Sequence, residues 1–193
     1  MYHINWKKEI LTVPNFLSVF RLILIPVYIS IYQNAAEQSD YYLAGTILCI
    51  SCLTDLADGK IARDFDMVSV VGKLLDPLAD KITQFVLIVT LAGKYPVLYY
   101  ILPLFIVKEV FQCITMVIYA KTGKALPGAL PAGKICTTVL FTNLVILVAL
   151  PELPDTTVFY SVLLDSFFLI YAFYEYTLAY FGTSPKITDL NND

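Results

Sequence analysis

Residues 55–80 read Asp55-Leu-Ala-Asp58-Gly59-Lys60-Ile-Ala62-Arg63-Asp64-Phe-Asp66-Met-Val-Ser69-Val-Val-Gly72-Lys73-Leu-Leu-Asp76-Pro77-Leu-Ala-Asp80. Asp55 and Asp58 are three apart and Asp76 and Asp80 are four apart, so each pair shares one face of a helix. Apolar runs flank the segment on both sides. The first pair closes one run and the second opens the next, so an antiparallel hairpin brings the four carboxylates together at one membrane boundary. Left unneutralised there, they would repel one another at the edge of the hydrocarbon, where charge is costly. A divalent cation answers both problems, and oxygen-only ligands suit Mg²⁺ or Mn²⁺. Gly59 lets another group approach the backbone closely. Arg63 offers a planar fork suited to a phosphate. The competing reading is a purely structural network with Lys60, Arg63, Lys73 and Lys81.

Outward from this segment the chain is unlike a soluble domain. Of its 193 residues 58% are apolar and 15% charged, where soluble chains carry about 25% charged. Mean hydropathy is +0.71. This excludes a disordered chain, a nucleic-acid-binding module and a water-soluble globule, which could not hide so many apolar side chains. Six spans of about the ~20 residues a bilayer requires are expected near 16–33, 42–63, 73–93, 97–120, 134–150 and 157–181. Turn-rich connections separate them. Nothing resembles a cleaved signal peptide, because residues 1–11 are too polar. Ile4, Trp6, Ile10 and Leu11 instead fit one side of a short helix lying on the membrane surface. Cys49, Cys52, Cys113 and Cys136 lie in apolar stretches; Cys49 and Cys52 have CxxC spacing but no second cysteine pair or nearby His, and all four read as buried thiols. There is no internal repeat. The expectation is one all-α integral membrane domain over 1–193, a bundle of about six transmembrane helices with a short N-terminal surface helix. Lys7, Lys8, Arg21, Lys60, Arg63, Lys73, Lys121, Lys124, Lys134 and Lys186 fall at the termini and the second and fourth connections, while the other connections hold only Lys94. The positive-inside rule then makes both termini and the acidic segment cytoplasmic, and the plasma membrane the expected location.

The segment resembles the signature of the CDP-alcohol phosphotransferases, D-x2-D-G-x2-A-R-x8-G-x3-D-x3-D, with every fixed position present. The resemblance extends to Pro14-Asn15 with Ser18 and Arg21 in the first span, and to Gly133-Lys134 with Thr137 at the fifth-span entry. It implies a six-helix membrane bundle, usually a homodimer, with the active site open to the cytoplasmic half of the bilayer. It further implies that Asp55, Asp58, Asp76 and Asp80 hold one or two Mg²⁺ or Mn²⁺ ions, with Asp80 as the general base. Asn15, Asp55, Gly59, Arg63, Ser69 and Gly72 would bind the CDP-lipid. The implied reaction moves a phosphatidyl group from CDP-diacylglycerol to an alcohol and releases CMP.

The acceptor must be read from residues outside the signature. An anionic acceptor needs cations, and Arg21, Lys108, Lys124 and Lys134 are the candidates. Lys108 lies in the middle of an apolar span, where an ammonium usually marks a cavity; its alternative is an ion pair with Glu109 or Asp165. Attraction to anionic lipid head groups is the alternative for Lys124. Relatives that use glycerol 3-phosphate carry a similar charged pair in the fourth span, commonly Arg-Glu, and a similar Gly-Lys entry to the fifth. Glycerol 3-phosphate is therefore the expected acceptor, with phosphatidylglycerol (giving cardiolipin) next. From a different class stands a small cation or proton transporter, against which speak the one-sided acidic cluster and the missing repeat. The aromatic residues of the last span, Phe167, Phe168, Tyr171, Phe173, Tyr174 and Tyr176, are expected to face lipid or a second subunit. Asp165 and Glu175 have no assigned role.

Overall fold

A computed structural model describes residues 13–64, 70–121, 124–125, 130–182 and 188–189, with the side chains of 13–14, 55–64, 70–76, 120, 124–125 and 188–189 left out. The expected surface helix near the N-terminus and Ser69 lie outside the described residues. Six α-helices are described: α1 Val13–Gln33, α2 Gln38–Asp64, α3 Val70–Ala92, α4 Ile101–Lys121, α5 Pro131–Ala149 and α6 Asp155–Phe181. A 3₁₀ turn, Pro96–Tyr100, runs directly into α4. Each helix sits on one of the six expected spans.

Length explains the agreement. At 1.5 Å per residue, the 21 residues of α1 reach about 31 Å, close to the ~30 Å hydrocarbon core. Four stretches meet span length and apolarity together: Asn15–Gln33, Pro96–Tyr119, Pro131–Ala149 and Asp155–Phe181. Only 22–39% of each is buried inside the protein, so most of their surface is apolar and outward-facing. Phe16, Ile23, Val107 and Phe167 are among the large side chains so exposed, as a lipid solvent allows. Helices α2 and α3 have 27 and 23 residues and are long enough, but they carry the acidic segment.

The helix ends follow local rules. Pro131 opens α5, where a missing N–H costs nothing. Asp155 lies in the first turn of α6 and complements its dipole. In the first turn of α2, the Asp40 carboxylate accepts hydrogen bonds from the Ala36 and Glu37 N–H groups at 2.9 and 3.0 Å. Those donors hold its ionisation below the usual carboxylate range.

The chain divides into two compact units, each described by itself. The first comprises residues up to Leu91 together with Leu144–Glu152. Helices α1 and α2 form its antiparallel hairpin, packed through Tyr28, Tyr32, Ala44 and Leu48. The Tyr28 and Tyr32 rings lie 5.6 Å apart, and Tyr32 meets Tyr41 edge-on at 5.5 Å. At Gly45 an added Cβ would stand 3.4 Å from the Ala149 Cβ, the close approach that small residues permit between membrane helices.

The second unit holds Ala92–Asn143 and Leu153 onward. Leu130, Tyr176, Ala179 and Tyr180 form its buried cluster, with Phe111 and Tyr119 packed against it. The Tyr119 hydroxyl donates to the Tyr180 carbonyl at 2.7 Å. Residues Lys124–Ala125 (β1) pair antiparallel with Thr188–Asp189 (β2). Two expectations are corrected here. Tyr176 is 2% exposed and belongs to the core, whereas Phe167, Tyr171 and Tyr174 of the same helix do face outward. Cys49 and Cys113 are free thiols on the surface, and of the four cysteines only Cys136 is buried. The cause is common to both: in a membrane helix apolarity is the same on inward and outward faces, so it does not report burial.

Tyr176 lies against the backbone at the start of α5. A Cβ built on Gly133 would be 2.6 Å from the Tyr176 hydroxyl and 2.9 Å from its Cε2. Gly133→Ala is therefore expected to destabilise the detergent-solubilised protein by about 1–3 kcal/mol, the usual cost of overpacking. In a Tyr176→Phe background the same change should cost less, because the nearest clashing atom is gone. Equal losses in the two backgrounds, measured by thermal unfolding, would show that the hydroxyl is not what confines Gly133.

Candidate active site

The acidic segment is helical on both sides of its connection. Helix α2 continues unbroken through Asp64, so Asp55 and Asp58 are successive on one face, with Gly59 and Arg63 in the turns that follow. Helix α3 begins at Val70, and Gly72, Asp76 and Asp80 then recur every fourth residue along one face. Pro77 within α3 cannot donate to the carbonyl of Lys73 a turn earlier, so this carbonyl is released beside Asp76. The side chains of Asp55, Asp58, Gly59, Arg63, Gly72 and Asp76 lie outside the described residues.

Asp80 is described, and its surroundings show what the region demands. Its Oδ1 accepts a hydrogen bond from Arg21 Nη1 at 2.5 Å. The Arg21 side chain is 3% exposed and that of Asp80 39%. A buried guanidinium needs a counter-charge, and this carboxylate supplies one. Arg21 continues a buried polar line on α1 that begins at Asn15 and Ser18. Ser51 on α2 and Thr83 and Gln84 on α3 are buried as well. One turn beyond Arg21 and Asp80, the three helices close around a cavity of about 10 Å³ lined mainly by Leu24, Ile25, Tyr28, Leu48, Thr83 and Leu87. That is roughly room for a single water, so the polar line ends on an apolar floor.

Of the four acidic residues of the signature, Asp80 is the one whose side chain is described; its carboxylate is an oxygen donor of the kind that hard cations take, and it already draws a buried positive charge to itself.

The remaining expected site residues lie in the second unit. Lys108 on α4 is 3% exposed, and its Nζ meets Glu109 Oε1 at 2.7 Å. Of its two suggested partners it takes Glu109; Asp165, 1% exposed, instead accepts from the Asn143 amide. Lys134 is exposed in the first turns of α5, with its N–H donating to the Leu130 carbonyl at 3.1 Å. Lys124 lies in β1 opposite Asp189, its side chain outside the described residues. Glu175 is half-buried on α6. Among described side chains, then, Arg21 and Asp80 are the expected site residues brought into direct contact.

Some of this was readable but missed. Thr83 and Gln84 follow Asp80 by three and four residues, so they share its face. Asn143 is a lone amide in an apolar run, the usual mark of a polar contact between membrane helices. No sequence signal pairs Asn143 with Asp165, 22 residues away, because that pairing depends on how two helices pack.

Comparison with known proteins bears on the same segment. A protein of Pseudomonas fluorescens named CDP-diacylglycerol–glycerol-3-phosphate 3-phosphatidyltransferase is 29% identical over 120 residues, 61% of this chain and 61% of that protein. A Schizosaccharomyces pombe protein named cardiolipin synthase (CMP-forming) / mitochondrial hydrolase fusion protein is 40% identical over 91 residues, 46% of this chain and 14% of the fusion. The Streptomyces coelicolor protein named cardiolipin synthase (CMP-forming) is 38% identical over 77 residues, 38% of this chain and 35% of its own length. The chain therefore matches less than two thirds of the length of each. The profile of the CDP-alcohol phosphatidyltransferase family matches residues 11–176, which takes in α1 to α5 and α6 as far as Tyr176. By that match over most of its length, this multi-pass membrane chain belongs to the CDP-alcohol phosphatidyltransferase family.

Proposed function

We propose that the protein is a membrane enzyme that transfers the phosphatidyl group of CDP-diacylglycerol to a hydroxyl of glycerol 3-phosphate, giving phosphatidylglycerophosphate and CMP. The observation that carries the reading is the complete acidic signature set on two successive helices, Gln38–Asp64 and Val70–Ala92, within a family match over 11–176. In this reading Asp80 takes the proton of the acceptor hydroxyl. That oxygen attacks the phosphorus bearing the diacylglycerol, the pyrophosphate P–O bond breaks, and CMP leaves with the electron pair. Asp55, Asp58, Asp76 and Asp80 would hold one or two Mg²⁺ or Mn²⁺ ions, which neutralise charge on the diphosphate and the departing CMP. Asn15, Asp55, Gly59, Arg63, Ser69 and Gly72 hold the CDP-lipid, with Arg63 as the phosphate fork.

The acceptor phosphate would be held by Lys124 and Lys134, since Lys108 is 3% exposed and taken by Glu109. Glycerol 3-phosphate is preferred because a relative matched over 61% of this chain is named for it. Phosphatidylglycerol, giving cardiolipin, is the second reading, supported by the names of the Schizosaccharomyces and Streptomyces relatives. The charge bias further supports a plasma-membrane enzyme with both termini and the active site cytoplasmic, and the family resemblance supports a homodimer.

Three outcomes follow. Asp80→Asn should lower turnover by roughly 10² or more, while CDP-diacylglycerol still binds; near-normal turnover removes Asp80 from the role. Lys134→Gln should raise the KM for glycerol 3-phosphate about tenfold, since one charge-assisted contact is worth about 1.5–3 kcal/mol. The KM for CDP-diacylglycerol should change far less. A wild-type enzyme that ignores glycerol 3-phosphate but converts phosphatidylglycerol makes the second reading the correct one. In a cysteine-free background, Gln38→Cys should react with an impermeant thiol reagent on intact cells and Lys121→Cys should not. The reverse pattern places the acidic segment outside, away from any supply of CDP-lipid.

A further inference from the structure

We infer that Arg21 is a positioning residue for Asp80 and not a contact for the acceptor. The inference rests on the proposed role of Asp80 as base and refines it. The two side chains differ sharply in exposure: Arg21 is 3% exposed and Asp80 39%. A cation that captures an incoming dianion must be reached from water, and one so buried is not. A carboxylate that meets a substrate must be reached, and Asp80 is. Arg21 therefore stands behind the carboxylate, with Nη1 on Oδ1 at 2.5 Å.

Two physical consequences follow from that placement. The guanidinium is a rigid planar fork, so its contact fixes the rotamer and plane of the Asp80 carboxylate before any substrate arrives. It also ties α1 to α3, since Arg21 belongs to the buried Asn15–Ser18–Arg21 line and Asp80 begins the Asp80–Thr83–Gln84 face. The second consequence is electrostatic. A positive charge on Asp80 opposes a cation held by the same carboxylate, so removing Arg21 should tighten divalent-ion binding. An arginine that does not act on the Asp80 carboxylate would not produce this sign.

The test uses the full-length detergent-solubilised protein and the variants Arg21→Gln, Arg21→Lys, Asp80→Asn and the double variant Arg21→Gln/Asp80→Asn. Arg21→Gln should lower kcat by roughly 10², the scale of a misplaced catalytic group, and leave the KM for glycerol 3-phosphate within about twofold. Arg21→Lys keeps the charge without the fork and should recover part of kcat; it also serves if Arg21→Gln does not fold. In the double variant, kcat should fall no further than in Asp80→Asn alone, because Arg21 acts through Asp80. Mn²⁺ titration followed by electron paramagnetic resonance should show tighter binding to Arg21→Gln than to wild type. A KM for glycerol 3-phosphate raised tenfold with kcat intact overturns the inference and restores Arg21 as an acceptor contact. Multiplying losses in the double variant overturn it too, as does unchanged or weaker Mn²⁺ binding. If wild type releases no CMP with any acceptor, the proposed reaction fails by itself, and the Mn²⁺ arm still decides whether Arg21 acts on Asp80.

Discussion

Hydrocarbon offers no hydrogen-bond partner to a backbone N–H or carbonyl, and this constraint shapes everything else in the protein. Each stretch that enters the membrane closes its bonds internally as a helix, and the six helices are the result. Prolines sit where that rule is least offended, at the first turn of α5 or inside the long helices α1 and α3, where membrane helices tolerate them. The same constraint governs side chains. Arg21 meets Asp80, Lys108 meets Glu109 and Asn143 meets Asp165, so three of the buried charged or amide groups find partners on the helices. The outward faces carry Phe, Tyr, Ile, Leu and Val, which need no partner in lipid.

Within this frame the acidic segment occupies a special place. Asp55 and Asp58 lie in the second half of α2 and Asp76 and Asp80 in the first half of α3, on either side of one connection. The cavity beyond Arg21 and Asp80 is too small for more than about one water.

The fold class was legible because helix-forming stretches of span length leave a composition signal that does not depend on packing. All six helices fall on the expected spans, four of them meeting length and apolarity together, with starts displaced by only a few residues. The acidic signature was legible for a related reason: its spacing of three and four is a property of one helix. What could not be read was which face turns inward. Tyr176 and Phe167 are both aromatic residues of one apolar helix, and one is 2% exposed while the other is 62% exposed. Cys49 and Cys136 differ in the same way. In a soluble protein polarity would have separated them; lipid and protein interior are both apolar, so here it does not.

The sequence by itself determined that the chain spans a membrane as helices, where those helices start and stop, and which helix turns carry the oxygen donors, since all are set by residues within a few positions of one another. The tertiary structure decided the partners. It committed Arg21 to Asp80 across 59 residues, gave Lys108 to Glu109 instead of Asp165, and seated Tyr176 on Gly133. Such choices rest on how helices distant in sequence come to lie side by side. A buried charge accepts whichever counter-charge that packing brings within reach.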